Sequence, residues 1–405
     1  MVTDNSRIVA RILGGFSPLT IALGITMTVA YGSLFYSFPI LAPAIMAEFG
    51  WSRTFVFGAF SSALVAGAFF APFSGRLLDR RGGRFVLSLG TVLSSAALVA
   101  MAWVNGPTGF MVALFAIEAT ATFVQYEAGF ATLAQLKGEG ARPQISAITL
   151  IAGFASTLFW PLCGWLLAHM DWRQVYLVLG LVNLAICLPL HIALPGRGRT
   201  QHEKNLSETS MQVRPRLAAR ERRNVLLALA IAFSAGGFVI AAVQAHFPRL
   251  FVEAGYSVAA AAAFGAMIGP FQVGSRIIEL LYGQRHHPVI VGLVANAALV
   301  AGVALLLAIG FGAPAAIAFA ALFGTGQGLA HIIRGAIPLA LFGPDGYGQL
   351  TGNLGFFRIL VTASAPVAIA AISDANGNRM AIIAIIAMAA VAFLALLPLR
   401  RYARS

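Results

Sequence analysis

The chain has 405 residues, 59% of them hydrophobic and 10% charged, with a mean hydropathy of +0.84. Soluble domains carry about 45–50% apolar residues. A chain of this length folded in water could not hide so much apolar surface, so a soluble globular protein is excluded. The 27 Lys and Arg against 14 Asp and Glu leave a formal charge of +13, and its placement decides whether that charge serves nucleic acid or a membrane surface.

Hydropathy divides the chain into twelve apolar runs of about 18 residues or more, the length that crosses a bilayer. They lie at approximately 16–39, 54–74, 84–104, 107–134, 144–167, 174–194, 224–246, 257–280, 288–310, 313–336, 347–373 and 379–399. In lipid every backbone N–H and C=O needs an internal partner, so the runs are expected as helices rather than open strands. The expected fold class is an all-α polytopic membrane protein. The first run is too long for the apolar core of a cleavable leader and is followed by further spans, so no signal peptide is expected.

The connections carry the punctuation. Span two ends in "GRLLDRRGGR", Gly75 to Arg84, with five charged residues in ten. "NGP" at 105–107, "GFGAP" at 310–314 and "FGPDGYG" at 342–348 supply the Gly, Pro and Asp that turns need. Cys163 and Cys187 fall inside spans, form no metal-ligand spacing and read as small core residues. The polar stretch 195–223 separates six spans from six, giving an N-terminal bundle 1–194, a linker 195–223 and a C-terminal bundle 224–405. Its end, "RPRLAARERR" at 214–223, fits either a short basic helix on the headgroups or a solvated loop.

Sorting Lys and Arg by loop puts 20 on the side of the chain ends, the Gly75–Arg84 turn and the linker, and only Arg53, Arg173, Arg249 and Arg379 on the other. Such a split is the positive-inside signature, so both termini and the linker are expected in the cytoplasm, at a bacterial inner membrane. The excess charge orients the chain and meets anionic headgroups; no nucleic-acid partner is expected. "SRIIE" at 275–279, near the end of span eight, echoes "GRLLD": Arg76/Asp79 and Arg276/Glu279 are both basic–x–x–acidic pairs. Six plus six spans with matching charged ends suggest an internally duplicated transporter.

Ionisable groups within the spans cost at least ~2.5–3.5 kcal/mol on insertion scales, so each is a candidate for function. Span four runs inward from Pro107, which puts Glu118 about 16 Å down, near the middle of a core roughly 30 Å thick. Glu118, Thr122 and Gln125 follow at i, i+4, i+7 and are expected on one helical face. Span ten repeats the spacing with Gln327, His331 and Arg334. These rows read as a substrate and gating surface or as structural pairs between helices. His331 fits a proton relay and equally a hydrogen-bonded packing histidine. Arg358 in span eleven lies near mid-depth with no acidic neighbour in its own span, as a group facing Glu118 or awaiting an anion would. Tyr31, Tyr36, Gln244 and His246 could add polar contacts, Tyr36 and His246 more weakly because they lie near the outer edge. Glu127 and Arg142 sit near the inner ends of spans four and five, as gate residues would; Arg142 also fits plain positive-inside charge. His286 and His287 lack nearby acids or cysteines, so no metal site is expected.

"GRLLDRRGGR" resembles motif A of the major facilitator superfamily, the loop joining its second and third helices. The resemblance spans the whole chain through the span count, the central loop and the orientation. It implies twelve helices in two six-helix halves, with helices one, four, seven and ten lining a central cavity, so that Glu118 on one side would face Arg334 on the other. It implies that Asp79, with Gly75, Arg80, Gly82 and Arg84, meets the inner end of a helix from the second half and locks an outward-open state, with Glu127, Arg142 and Glu279 in the same cytoplasmic gate. Within the superfamily, "FYSFPILAPAIMAEFGWSRT" (35–54), "DWRQVY" (171–176), "GPFQVGSR" (269–276) and "RGAIPLALFGPDGYG" (334–348) look like the bacterial monocarboxylate-porter branch. Those porters carry an Asp four residues before a carboxylate-binding Arg; here the Arg is Arg276 and the Asp position is Gln272. They also place a Lys after a Phe-Pro pair, where Phe38-Pro39 is followed by Ile40. Arg276 therefore has two readings, a carboxylate ligand by the porter match or a partner of Glu279 at the cytoplasmic turn by the match to Arg76.

The expected function is secondary active transport of a small organic anion, monocarboxylate-like, across the inner membrane by alternating access coupled to the proton gradient, in symport, with Glu118 or His331 as proton carriers. The alternative is efflux of a toxic compound or oxyanion; a membrane receptor or enzyme is more remote. No Walker A pattern, HExxH or GxSxG is present, so no ATP drive, catalytic set or cofactor is expected. The expected partners are the substrate and the bilayer, and the expected state is a monomer.

Overall fold

The computed structural model describes residues 15–196 and 218–403, and every regular element among them is helical. In chain order the membrane-spanning helices are α1 (Pro18–Phe49), α2 (Arg53–Ala68 and Ala71–Arg81, bent by 41°), α3 (Gly83–Met101), α4 (Pro107–Ala121 and Tyr126–Lys137), α5 (Arg142–Ala152 and Ala155–His169) and α6 (Trp172–Ile192). They are followed by α7 (Ala219–Glu253), α8 (Val258–Ala266 and Ile268–Leu281), α9 (Pro288–Ile309) and α10 (Ala313–Phe342). The run Tyr347–Leu396 is divided at Gly377, where φ is 80°, into α11 and α12. Nine runs are long and apolar enough to cross a bilayer when the bent α2 counts as one crossing. Two of them, 63 and 57 residues long, hold two crossings each. With α8 the total is twelve.

Local chemistry sets the ends. Ser17, Ser52 and Ser257 accept a backbone N–H from the first turns of α1, α2 and α8, and Asp171 forms a reciprocal capping box with Gln174 at α6. Pro107 and Pro288 open α4 and α9, where their missing N–H costs nothing. Two expectations change. The expected linker 195–223 lies mostly outside the described residues, but Arg220, Arg222 and Arg223 belong to the first turns of α7, a continuous 35-residue helix rather than a separate one. The Gly75–Arg84 stretch is not a loop: α2 runs through it to Arg81, and the chain turns at Gly82 with φ of 80°.

The chain groups into two compact units, Met1–Val213 with Phe342–Phe356, and Arg214–Leu341 with Phe357–Ser405. The first unit packs Leu23, Met27, Phe38, Phe110 and Tyr176 in its interior. Its helices are irregular at mid-span: α1 and α6 each carry a widened π-helical turn, Gly32–Tyr36 and Asn183–Cys187, and Asn183 Nδ2 donates to Ser33 Oγ at 2.7 Å between them. The second unit is built on a ladder of rings, Phe251, Phe247, Phe319 and Phe323, packed with Leu299 and Val303.

Candidate functional site

In the first unit the last turn of α2 abuts the first turn of α11. Asp79 Oδ1 accepts from Gly348 N at 2.9 Å and Oδ2 from Gln349 N at 2.7 Å. Both amides belong to the start of α11, where backbone N–H groups have no helical partner, so one carboxylate satisfies two of them and meets the positive end of the helix dipole. Glycines permit the approach. A Cβ on Gly348 would stand 2.6 Å from Gly75 O and 2.7 Å from Asp79 Oδ1. Gln135 Nε2 on α4 donates to Leu78 O at 2.9 Å, fixing the same turn of α2 from the other side. Arg80 and Arg84 are exposed beside it. Glu127, on the first turn of the second α4 segment, lies within electrostatic reach of the buried Tyr347. Arg142 opens α5.

The expected single face of span four does not form. The first segment stops at Ala121 and the second starts at Tyr126, with Gln125 extended at φ −89°, ψ −170°. Thr120 Oγ1 and Thr122 Oγ1 bond back to the carbonyls of Ala116, Ile117 and Ala119, a pattern that bends helices. Ser74 Oγ of α2 takes up Thr122 O at 2.9 Å. Glu118, Thr122 and Gln125 are therefore not one helical row. Glu118 is buried against Gly67 of α2 and within reach of Tyr176 of α6, and its Oε1 has no hydrogen-bond partner. Tyr31 of α1 packs on Tyr126, ring centroids 4.6 Å apart, beside the break.

Two of the quoted motif stretches meet in the same unit. Glu48, near the end of α1, takes Arg173 at 2.6 Å and Trp172 Nε1 at 2.6 Å, while Arg173 also donates to Val104 O. The "AEFGW" and "DWR" segments thus clamp one end of the bundle. A second polar seam joins α3 and α6, where His191 Nδ1 and Thr91 Oγ1 lie 2.8 Å apart, fully buried. Sequence reasoning passed over it, since small hydroxyls and one histidine barely change hydropathy.

In the second unit the basic residues converge. Arg276 is 1% exposed, the largest fully buried side chain of the described residues, and its Nε points to Gly328 O on α10 at 3.4 Å. His331 Nδ1 bonds to Gln327 O at 2.7 Å and lies within electrostatic reach of Arg334, Arg276 and Arg358. Guanidinium groups on three helices, α8, α10 and α11, thus act electrostatically on one imidazole. Glu279 accepts from Gln284 Nε2 at 3.1 Å, and it and Glu118 are the only buried carboxylates among the described residues. On α11, Arg358 and Thr362 face α7: a Cβ on Gly237 would overlap Thr362 Oγ1 and stand 3.3 Å from Arg358 Cγ. Gln272 is half-buried on α8 and Gln244 is exposed on α7. His287 caps α9 through Val289 N. No group of three potential metal ligands occurs among the described residues.

The sequence pattern of the Major Facilitator Superfamily matches residues 23–358. No curated protein sequence matches the chain. Among solved structures the fold is similar to that of FucP, a Major Facilitator Superfamily transporter in the outward conformation (17% identity, TM-score 0.66, covering 95% of this chain and 98% of that one). It is also similar to the human organic anion transporter MFSD10 (16%, 0.64, 97% and 99%) and to the proton:xylose symporter XylE (13%, 0.66, 96% and 95%). The family match runs from α1 into α11, well over half of the chain: the chain belongs to the Major Facilitator Superfamily and is a membrane transporter, not an enzyme.

Proposed function

We propose that the chain moves a small organic anion across the bacterial inner membrane by alternating access, with both termini cytoplasmic and the proton gradient as its drive. The observation that carries this reading is the gathering of Arg276, His331, Arg334 and Arg358 within one unit. Arginines within membrane spans are rare and mark substrate or ion pathways, and a guanidinium is suited to hold a carboxylate through paired hydrogen bonds. Glu118 is the proton carrier in this reading, a buried carboxyl whose Oε1 lacks a partner in the first unit. The likeness to an organic anion transporter and to proton symporters for fucose and xylose supports the anionic cargo and the proton drive respectively. The Asp79 cap on α11 acts as the latch of the outward-open state, with Arg80 and Arg84 beside it.

Proteoliposomes with an acidified exterior test the proposal. Labelled small carboxylates should accumulate, a proton uncoupler should stop accumulation, and Arg276→Gln and Arg358→Gln should each raise the KM. Uptake of neutral sugar alone would overturn the anionic reading, and uptake indifferent to the uncoupler would overturn the proton drive.

A further inference from the structure

Resting on the anion reading, a second set of groups in the same unit narrows the substrate class. Ser234 Oγ on α7, Gln327 Oε1 on α10 and Thr362 Oγ1 on α11 are buried and have no hydrogen-bond partner. Ser234 and Gln327 are 7% and 6% exposed. A buried polar atom left without a partner costs about 1–3 kcal/mol, so three of them in one bundle call for an explanation beyond packing.

Their placement ties them to the basic cluster. Gln327 lies one turn before His331 on α10, and its own backbone carbonyl holds the imidazole. Thr362 lies one turn after Arg358 on α11, and both press on α7 at Gly237. Ser234 lies one turn before Gly237, a spacing that puts the two on one face of α7. Arg358 in turn lies within electrostatic reach of His331, which links the α7–α11 contact to α10. Alternation of cations with orphaned hydroxyl and amide oxygens is not what an alkyl carboxylate needs. An alkyl chain would leave all three oxygens without a partner.

We infer that the anion carried by this protein bears several hydroxyl groups, as a sugar acid does: the guanidinium groups of Arg276 and Arg358 hold the carboxylate, and Ser234, Gln327 and Thr362 hold the hydroxyls. Gln327 Oε1 can only accept, so it takes a hydroxyl proton, whereas the Ser234 and Thr362 hydroxyls donate or accept. A site built this way discriminates strongly, because an analogue lacking the hydroxyls leaves the protein's own polar groups unpaired.

The test is calorimetric titration of the purified full chain in detergent, with gluconate and glycerate as hydroxylated acids, propionate and butyrate as plain acids, and glucose as the neutral polyol. The expected result is binding of gluconate and glycerate about tenfold tighter or more than the plain acids. Gln327→Leu, Thr362→Val and Ser234→Ala, each checked for an unchanged melting temperature without ligand, should shrink that ratio. Equal affinity for glycerate and propionate would overturn the inference and leave the anion reading standing, as would a ratio that survives in all three variants. Binding of glucose with none of the acids, or of no probe at all, would count against both.

Discussion

Replacing Asp79 by Asn tests the α2–α11 contact without any knowledge of the substrate. The carboxylate accepts two amides, Gly348 N and Gln349 N, one on each oxygen. An Asn side chain has a single acceptor oxygen, so one of these bonds is lost and its NH2 group is set against a backbone N–H. Hydrogen bonds to charged groups contribute about 1.5–3 kcal/mol, and a negative charge at a helix N-terminus about 0.3–1 kcal/mol. Gln349 is exposed and Asp79 half-buried, so solvent takes up part of the loss and about 2 kcal/mol is the reasonable sum. At about 1.4 kcal/mol per tenfold, the opened form of the contact gains roughly 30-fold in population. Hydrogen exchange by mass spectrometry on peptides covering 347–356 should show this as faster exchange of the first α11 amides, with the rest of the first unit unchanged. In transport the variant should lose turnover more than substrate affinity. Exchange within about twofold of the parent would refute the capping energetics, and lost affinity with intact turnover would refute the latch.

Gly348→Ala should reproduce the loosening, because its Cβ would stand 2.6 Å from Gly75 O and 2.7 Å from Asp79 Oδ1. Combined with Asp79→Asn it should add little in the same exchange assay, since both break one contact. Glu118→Gln keeps the shape of a buried side chain, so the protein should fold; accumulation against a pH gradient should stop while counterflow of labelled solute persists, and unchanged accumulation would remove Glu118 from the proton path. Glu253, at the end of α7 beyond the apolar run Ala219–Phe247, is held below the ordinary carboxylate range by hydrogen bonds from Arg249 and Asn378. Its contribution is full above the unfolded value of about 4.3 and is lost as pH falls through the lower folded value. The melting-temperature gap between parent and Glu253→Gln should therefore be constant from pH 7 to about 5 and close in acid.

What the sequence made legible follows the size of the energies involved. A charge in hydrocarbon costs several kcal/mol, so Arg276, Arg334 and Arg358 stand out in spans that are otherwise apolar, and all three act electrostatically on His331. Span boundaries were equally plain, because twelve apolar runs separated by Gly, Pro and charge admit few alternatives. The break in α4 was not legible. "ATATFVQYE" at 119–127 has the hydropathy of a continuous helix, and what stops it is the bonding of Thr120 and Thr122 to their own carbonyls together with Ser74 arriving from α2. A periodicity count gives each residue one face and has no entry for a neighbour that takes a carbonyl away.

The same limit explains the two readings of Arg276 and why the hydroxyl-bearing helices went unnoticed. Position along span eight places Arg276 in depth but leaves its direction open; the packing adds a contact from its Nε to Gly328 O on α10. Ser234 and Thr362 change the mean hydropathy of their spans by little and mimic the small residues that let helices pack closely. Their distinction is negative: each has a polar oxygen that is buried and unanswered. Partnerlessness is a property of the assembled bundle, because the same serine would be satisfied by the i−4 carbonyl in another rotamer, as Ser33 and Ser37 are. Charge in a membrane protein can thus be located from sequence alone, whereas neutral oxygens left without a partner become visible only when the packing around them is known.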